Sequence, residues 1–205
     1  MPAARYLYLA RHGEATADES RLTDAGRRQA ALLGERLRDV PLDAVHHGPL
    51  PRAAETARLV CEQLDGVAPR VSELAGDYVP YAPVRDELPP EHADLLLGRM
   101  AGFSEEERAE GPKAALRALD AFTGPVEGDE ARHELVVTHN FLVGWLVSRA
   151  MYAPGWRWLG LNHGNASLTV IRYAPGRPAS VLLTNDMGHL PGELRWTGFP
   201  PELRA

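Results

Sequence analysis

The chain has 205 residues and only one cysteine, Cys61. A single cysteine cannot form a disulfide within the chain, so a disulfide-stabilised scaffold is excluded. No apolar run approaches the roughly 18 residues that a membrane-spanning helix requires. The apolar run before Arg11 is also too short to be the hydrophobic region of a secretory signal. We therefore expect a protein of the cytoplasm with no membrane partner.

An excess of positive charge is absent too. The sequence has 22 lysines and arginines against 28 acidic residues, which gives a net charge of −6. Because nucleic-acid-binding domains usually carry a basic patch or stripe, this balance predicts no nucleic-acid partner. Apolar residues make up 44% and charged residues 24% of the sequence, which is ordinary for a globular domain.

Strand and helix patterns alternate along most of the chain. The predicted strands are 5–10, 43–47, 67–72 and 134–139, the predicted helices are 23–38, 52–64, 104–122 and 140–151, and a hairpin is predicted at 167–173 and 180–184. This order predicts an α/β fold: a three-layer sandwich with a mostly parallel central sheet, flanked by helices, and one antiparallel strand. The length fits one domain, residues 1–205. We expect an insertion or lid at about 76–132, which begins with an irregular loop.

Basic side chains follow three of the predicted strands at the point where each strand ends. Arg11 and His12 follow the first strand, Arg52 follows a turn after the second, and His139 follows the strand at 134–139. Ligands of open α/β sheets bind at the carboxyl ends of the strands. Two arginines and two histidines are therefore expected to converge on one crevice.

This set of residues suits a phosphoryl group. Arginine forks match the geometry of phosphate oxygens. A neutral imidazole can attack phosphorus, and a second imidazole that is held protonated can stabilise the transition state. Asn140 opens a predicted helix directly after His139, so backbone N–H groups there are also expected to face the anion. The sequence predicts a phosphate-ester site that includes Asn140.

Five segments, in this order, resemble motifs of the histidine phosphatase (phosphoglycerate mutase-like) superfamily: Arg11–Glu14, Leu22–Ala30, Pro49–Ala57, Val136–Asn140 and Asn165–Thr169. The resemblance implies a phosphoglycerate mutase-like fold. It also implies that His12 is the nucleophile and becomes phosphorylated, while Arg11, Arg52 and His139 complete the phosphate pocket. No metal and no other cofactor is implied.

The resemblance further implies a carboxylic acid that protonates the leaving oxygen. Glu73 and Asp77 are the two candidates, and both stay open on the residues alone. The stretch 73–80 and the segment 186–191 are similar to the mitochondrial Ser/Thr protein phosphatases of this superfamily, a register that favours Asp77. The sequence departs from the family at Asp18, where asparagine is frequent, and at Gly48, where serine is usual.

The predicted activity is the hydrolysis of a phosphate monoester through a phosphohistidine on His12, as in a phosphoric monoester hydrolase of the histidine acid phosphatase type. The substrate is expected to be a phosphorylated small molecule or a phosphoprotein. Three alternatives remain at this point: a phosphomutase on the same fold, a catalytically silent phosphate-binding module, and a metal-assisted hydrolase. The sequence indicates no oligomeric state.

Overall fold

A computed structural model describes residues 1–199 and 201–204 of the chain. The strands are β1 (Pro2–Ala3), β2 (Arg5–Arg11), β3 (Ala44–His47), β4 (Pro69–Val71), β5 (Val126–Glu127), β6 (Arg132–Thr138), β7 (Leu168–Tyr173) and β8 (Ser180–Asp186). The α-helices are α1 (Asp24–Leu37), α2 (Pro51–Cys61), α3 (Ala93–Met100), α4 (Glu105–Phe122) and α5 (Asn140–Ala150). Short 3-10 turns occur at several loops, among them Glu73–Ala75 and Gly155–Gly160.

The main sheet has the strand order β4-β3-β6-β2-β7-β8. Strands β4, β3, β6 and β2 run parallel to one another, whereas β7 is antiparallel to both of its neighbours, β2 and β8. The predicted sheet, mostly parallel with one antiparallel strand, is thereby confirmed. Strands β1 and β5 form a separate two-stranded ribbon.

Alternation along the central strands produces two apolar cores, because successive side chains of a strand point to opposite faces. Leu7 and Leu9 of β2, with Val136 of β6, pack on the face covered by α3, α4 and α5. Ala10 of β2 and Leu135 of β6 pack on the opposite face, under α1 and α2. The molecule therefore has three layers, as the sequence predicts.

Helix α3 is the main element that the sequence pattern does not predict. Its buried residues are Ala93, Leu96 and Met100, which keep helical spacing. Leu95 is nevertheless exposed, and Gly98 has a low helix propensity. These two features blur the amphipathic pattern of an eight-residue helix. Within the described residues, no helix is both long and apolar enough to cross a membrane.

Candidate active site

The register of the parallel strands places the two histidines side by side. Arg11 pairs with Thr138, so that His12 and His139 are the next residues on two adjacent strands. Their ring centroids lie 5.1 Å apart. Strand β3 runs on the other side of β6 and leads through a short loop into α2, whose first turn carries Arg52. The structure thus brings together the four residues that the strand-end pattern singles out.

His12 is held in one tautomer by its surroundings. Its side chain is buried; Nδ1 lies 2.8 Å from the Gly13 carbonyl oxygen, and Nε2 lies 3.2 Å from Arg52 Nε. A carbonyl oxygen can only accept and an arginine N–H can only donate, so Nδ1 carries the proton and Nε2 presents its lone pair. Burial, reinforced by the Arg11 cation, lowers the pKa of His12 well below its ordinary value. The imidazole is therefore neutral at pH 7.

Arg52 is the centre of the charged network. Besides His12, its guanidinium contacts Asp77, with Nη2 2.9 Å from Oδ2, and Glu19, with Nη1 3.3 Å from Oε2. The guanidinium is buried at the start of α2, where the helix dipole disfavours a cation. The two carboxylates offset this cost, and Arg52 is oriented toward the crevice.

Arg11 is anchored from the opposite side by two backbone carbonyls. Its Nη1 donates to His163 O at 2.8 Å and to Gly198 O at 3.0 Å. Burial lowers the pKa of Arg11 to about 10, against the attraction of the Asp77 carboxylate, and the guanidinium stays charged at neutral pH. Its buried Nε has no hydrogen-bond partner among the described residues. A donor that could serve an anion is therefore unused.

His139 occupies the N-cap position of α5, without a side-chain capping hydrogen bond, and is 1% exposed. Neither ring nitrogen has a hydrogen-bond partner in the described part of the chain, although Nδ1 lies 3.5 Å from Asp77 Oδ2. Burial, together with the nearby cations Arg52 and Arg11, lowers the pKa of His139 to about 3. An anion bound among these groups would supply the missing partner and shift this pKa upward.

Of the two candidate acids, the structure brings Asp77 to this cluster. The Thr138 hydroxyl donates to Ala75 O at 2.7 Å and ties the segment before Asp77 to the end of β6. Gly48 permits this approach, because a Cβ atom there would collide with Ala75 O, which accounts for glycine at this departure from the family pattern. Burial raises the pKa of Asp77, against the attraction of Arg52. Glu73 lies on the 3-10 turn that precedes Asp77, and its side chain makes no ion pair with Arg52 or His139 among the described residues, whereas that of Asp77 contacts both.

The side chain of Asn140 is used for another contact. Its Oδ1 accepts from His163 N at 2.8 Å, and its Nδ2 lies 3.3 Å from Asn162 Oδ1. This contact supports the loop whose His163 carbonyl holds Arg11. Because the side chain is occupied, only the backbone N–H of Asn140, at the start of α5, is left to bind phosphate. That Asn140 binds phosphate stays a prediction.

Several residues of the site were not assigned a role from the sequence. Thr56 Oγ1 accepts from Gly13 N at 3.0 Å and donates to Arg52 O at 2.7 Å, which links the two predicted halves of the pocket. Asn165 Nδ2 donates to His12 O at 3.0 Å. Both lie inside motifs that signal the family, so their positions were visible. Glu19 and Gly198 lie outside any such pattern.

A cavity of about 370 Å³ opens beside Asp77. Its charged lining is mostly acidic, from α4, with one arginine: Glu106, Glu107, Glu110 and Arg117. Among the described residues there is no cluster of three or more His, Cys, Asp or Glu side chains that could hold a metal ion.

Comparisons with known proteins agree with this geometry. The family described as the histidine phosphatase superfamily (branch 1) matches residues 7–186. The "Serine/threonine-protein phosphatase Pgam5, mitochondrial" of Caenorhabditis briggsae is 32% identical over 201 residues, which cover 95% of this chain and 68% of that protein. Its counterpart in Caenorhabditis elegans is 32% identical over 194 residues, which cover 92% and 65%. The chain thus spans about two thirds of the length of these relatives.

Solved structures share the fold. Bacillus stearothermophilus YhfR aligns with a TM-score of 0.63 and 25% identity, over 90% of this chain and 98% of that one. A phosphoglycerate mutase from Plasmodium falciparum aligns with a TM-score of 0.62 and 17% identity, over 93% and 96%. The predicted phosphoglycerate mutase-like fold is confirmed.

One prediction is wrong by these comparisons. The sequence was expected to be that of a cytoplasmic protein, whereas these curated relatives are named as mitochondrial proteins. The expectation relied on the lack of a leader pattern in the first residues. That lack is a weak guide, because the match leaves about a third of the relatives' length uncovered.

Proposed function

The chain belongs to the histidine phosphatase superfamily, and from this we propose that it hydrolyses phosphate monoesters through a phosphohistidine on His12. The observation that carries the proposal is the state of His12: a neutral imidazole, fixed by the Gly13 carbonyl, whose Nε2 lone pair lies beside two arginines. A nucleophile, an anion pocket and an acid are the parts that such a reaction needs.

In the first step, the phosphoryl oxygens are bound by Arg11, Arg52 and His139. His12 Nε2 attacks phosphorus; the N–P bond forms while the bond to the ester oxygen breaks. The proton on Asp77 passes to the leaving oxygen, so that an alcohol departs. The Nδ1–H bond to the Gly13 carbonyl stabilises the positive charge that develops on the phosphorylated ring.

In the second step, Asp77 takes a proton from water, and the water oxygen attacks the phosphohistidine. The P–O bond forms, the N–P bond breaks, and inorganic phosphate leaves with His12 neutral again. Asp77 therefore acts first as an acid and then as a base, and the site returns to its starting state.

Binding of the phosphate prepares Asp77 for the acid role. Without substrate, Asp77 and Glu19 both contact Arg52. A phosphate dianion that takes over these guanidinium donors would withdraw the cation from Asp77 and place a negative charge next to it. Both changes raise the pKa of a carboxyl group, so the protonated form becomes available when a substrate is present.

The substrate class is the finer part of the proposal. Relatives are named serine/threonine-protein phosphatases, which supports a phosphoprotein ahead of a phosphorylated small molecule. The histidine acid phosphatase type of specificity is likewise part of the proposal. Steady-state kinetics on phosphoserine and phosphothreonine peptides, compared with a panel of small phosphate esters, would rank the two classes.

A quench experiment tests the mechanism. Wild-type protein mixed with a labelled phosphate ester should yield protein-bound phosphate that is acid-labile and base-stable, as a phosphohistidine is, and that maps to the peptide containing His12. His12→Ala should abolish both the label and the release of phosphate from p-nitrophenyl phosphate. His92→Ala, at an exposed position, is the matched control and should retain both.

The outcomes separate the alternatives. If His12→Ala turned over at the wild-type rate, the phosphohistidine mechanism would be wrong. If the wild-type protein bound orthophosphate but released none from any ester, it would be a silent binding module. Transfer of labelled phosphate to a second hydroxyl, with no free phosphate, would identify a mutase.

A further inference from the structure

Residues 194–199, here called the C-terminal strap, lie against the phosphate pocket although they follow the segment that matches the family. Gln29 is fully buried and donates through Nε2 to Leu194 O and to Thr197 Oγ1, each at 2.8 Å. Asn165 N donates to Thr197 O at 3.1 Å. The strap is thus bound at defined points rather than resting loosely on the surface.

Gly198 lies at the point where the strap reaches Arg11. Its carbonyl oxygen accepts from Arg11 Nη1 at 3.0 Å. Its φ of +74° is in the left-handed region, and a Cβ atom would lie 2.6 Å from Arg11 Nη1 and collide with Asn165 Oδ1. Both the backbone conformation and the close approach therefore require glycine here.

The contact determines which donors of Arg11 remain available. A guanidinium Nη group has two N–H bonds, and those of Arg11 Nη1 are directed to His163 O and Gly198 O. Nε and Nη2 remain for a phosphate. Two carbonyls on the same nitrogen fix the rotation of the planar fork, so the phosphate-binding edge is oriented before the substrate arrives.

The strap is also linked to the nucleophile. Gln29 Oε1 accepts from Glu14 N at 2.8 Å, so one buried amide joins the strap to the loop that follows His12. Asn165 likewise contacts both the strap, through Thr197, and the His12 carbonyl. We propose that the C-terminal strap is a positioning element of the phosphate pocket, in which the Gly198 carbonyl sets the orientation of Arg11. This inference rests on the proposed function, since it assumes that Arg11 binds the phosphoryl group.

The test compares two glycine substitutions with the same backbone strain. Gly198→Ala should lower kcat/KM for p-nitrophenyl phosphate by about a hundredfold, because a displacement near 1 Å at a binding group has effects of that size. It should also raise the inhibition constant of orthophosphate. Gly66→Ala is the matched control: its φ is +75°, and a Cβ atom there meets nothing within 4 Å. The control should lose stability alone.

A double-mutant cycle then asks whether the effect passes through Arg11. In an Arg11→Ala background, Gly198→Ala should change kcat/KM by less than threefold, because its target is gone. If the full effect persisted in that background, the strap would act elsewhere, and the assignment to Arg11 would be overturned. Equal effects of Gly198→Ala and Gly66→Ala on activity would overturn it as well.

Thermal unfolding of each variant shows whether it is folded. Because the added Cβ of Gly198→Ala also meets Arg11 directly, Thr197→Val is measured beside it: this variant removes the Gln29 contact without steric conflict at Arg11, and it should raise the orthophosphate inhibition constant several-fold. A Thr197→Val variant with wild-type phosphate affinity would then contradict the inference. Failure of the proposed function is distinguishable, because in that case wild type releases no phosphate and Arg11→Ala has no effect.

Discussion

Arg52 connects the parts of the site at the scale of single residues. Its three nitrogens reach the proposed nucleophile His12, the proposed acid Asp77 and the loop carboxylate of Glu19. A phosphate that binds Arg52 therefore affects all three at once. It frees Asp77, competes with Glu19 and lies next to His12 Nε2. Under the proposed mechanism, substrate binding and preparation of Asp77 as the acid would be one event.

Substrates with different leaving groups can show whether Asp77 or Glu73 is the acid. Asp77→Asn should lower kcat about 10²–10⁴-fold for alkyl phosphates, whose alkoxide must be protonated. The loss for p-nitrophenyl phosphate should be much smaller in the phosphorylation step, because p-nitrophenolate leaves without a proton. Burst kinetics on both substrates would measure it, with Glu73→Gln as the control. An equal loss for both substrates in Asp77→Asn would contradict the acid role.

Glu19 occupies one of the donors of Arg52 that a phosphate needs. Glu19→Gln should lower the inhibition constant of orthophosphate several-fold, because the dianion no longer displaces a carboxylate. The effect should shrink in high salt, since the Glu19 side chain is 65% exposed and such pairs are screened. Inhibition assays at low and high salt would show this. Glu62→Gln, which removes the helical contact with Arg58, should leave phosphate inhibition unchanged.

The site residues predicted from the sequence are those whose residue type and position at a strand end indicate a chemical role. An arginine or histidine at a strand end is visible because a buried strand in a parallel sheet has a defined exit edge. Glu19 and Gly198 act through a left-handed backbone, with φ of 57° and +74°, and through contacts between distant parts of the chain. No local pattern encodes such a contact, so these residues become visible only in the structure.

At the scale of elements, helix α1 supports the loop that begins at His12. Thr23 caps α1 by accepting from Gly26 N at 3.0 Å. Gly26 lies so close to that loop that a Cβ atom would collide with Glu14 O. The start of the helix thereby fixes the loop that begins at His12. This explains a glycine in the first turn, where helix propensity disfavours it.

Substitution by alanine should change the free energy of unfolding in opposite directions at two helical glycines, Gly26 and Gly98. Gly26→Ala should reduce the free energy of unfolding by about 1–3 kcal/mol through overpacking, and it should lower activity because the nucleophile loop must shift. Gly98→Ala in α3 meets nothing within 4 Å and should stabilise the fold by roughly 0.5–1 kcal/mol. Urea denaturation would measure both. A neutral or stabilising Gly26→Ala would show that the contact is not tight.

The elements that were predicted are long or strongly patterned. Strands β2 and β6 are apolar on both faces, and α4 begins with a capping box at Ser104. Helix α3 was missed because its eight residues depend on tertiary packing. The strap was missed for a similar reason: its shape follows from hydrogen bonds to Gln29 and Asn165, far away in sequence.

At the scale of the whole molecule, the fold buries the two histidines of the candidate site, His12 and His139, at the carboxyl ends of β2 and β6. Burial keeps these imidazoles neutral, which suits a nucleophile. In mild acid, the same histidines would each bind a proton in the unfolded chain, but burial prevents this in the folded protein. His139 has a pKa of about 3, and the neighbouring buried His163, outside the candidate pair, has a pKa of about 4. Burial is the main cause for each, and the Arg11 cation contributes to both. The requirements of the site should therefore appear in the stability of the entire fold.

The free energy of unfolding should fall as the pH drops from about 6.5 to 4.5. An unfolded histidine binds a proton below about pH 6.5, whereas His139 in the folded protein stays unprotonated until about pH 3. The unfolded state then binds more protons throughout this window, so acid favours it. Each such histidine therefore lowers the free energy of unfolding by about 2–3 kcal/mol by pH 4.5.

Urea denaturation across this range would measure the slope of the free energy of unfolding against pH, and His139→Asn should make it shallower. A slope that His139→Asn leaves unchanged would mean that His139 takes up its proton in the folded state, and that burial does not keep it neutral.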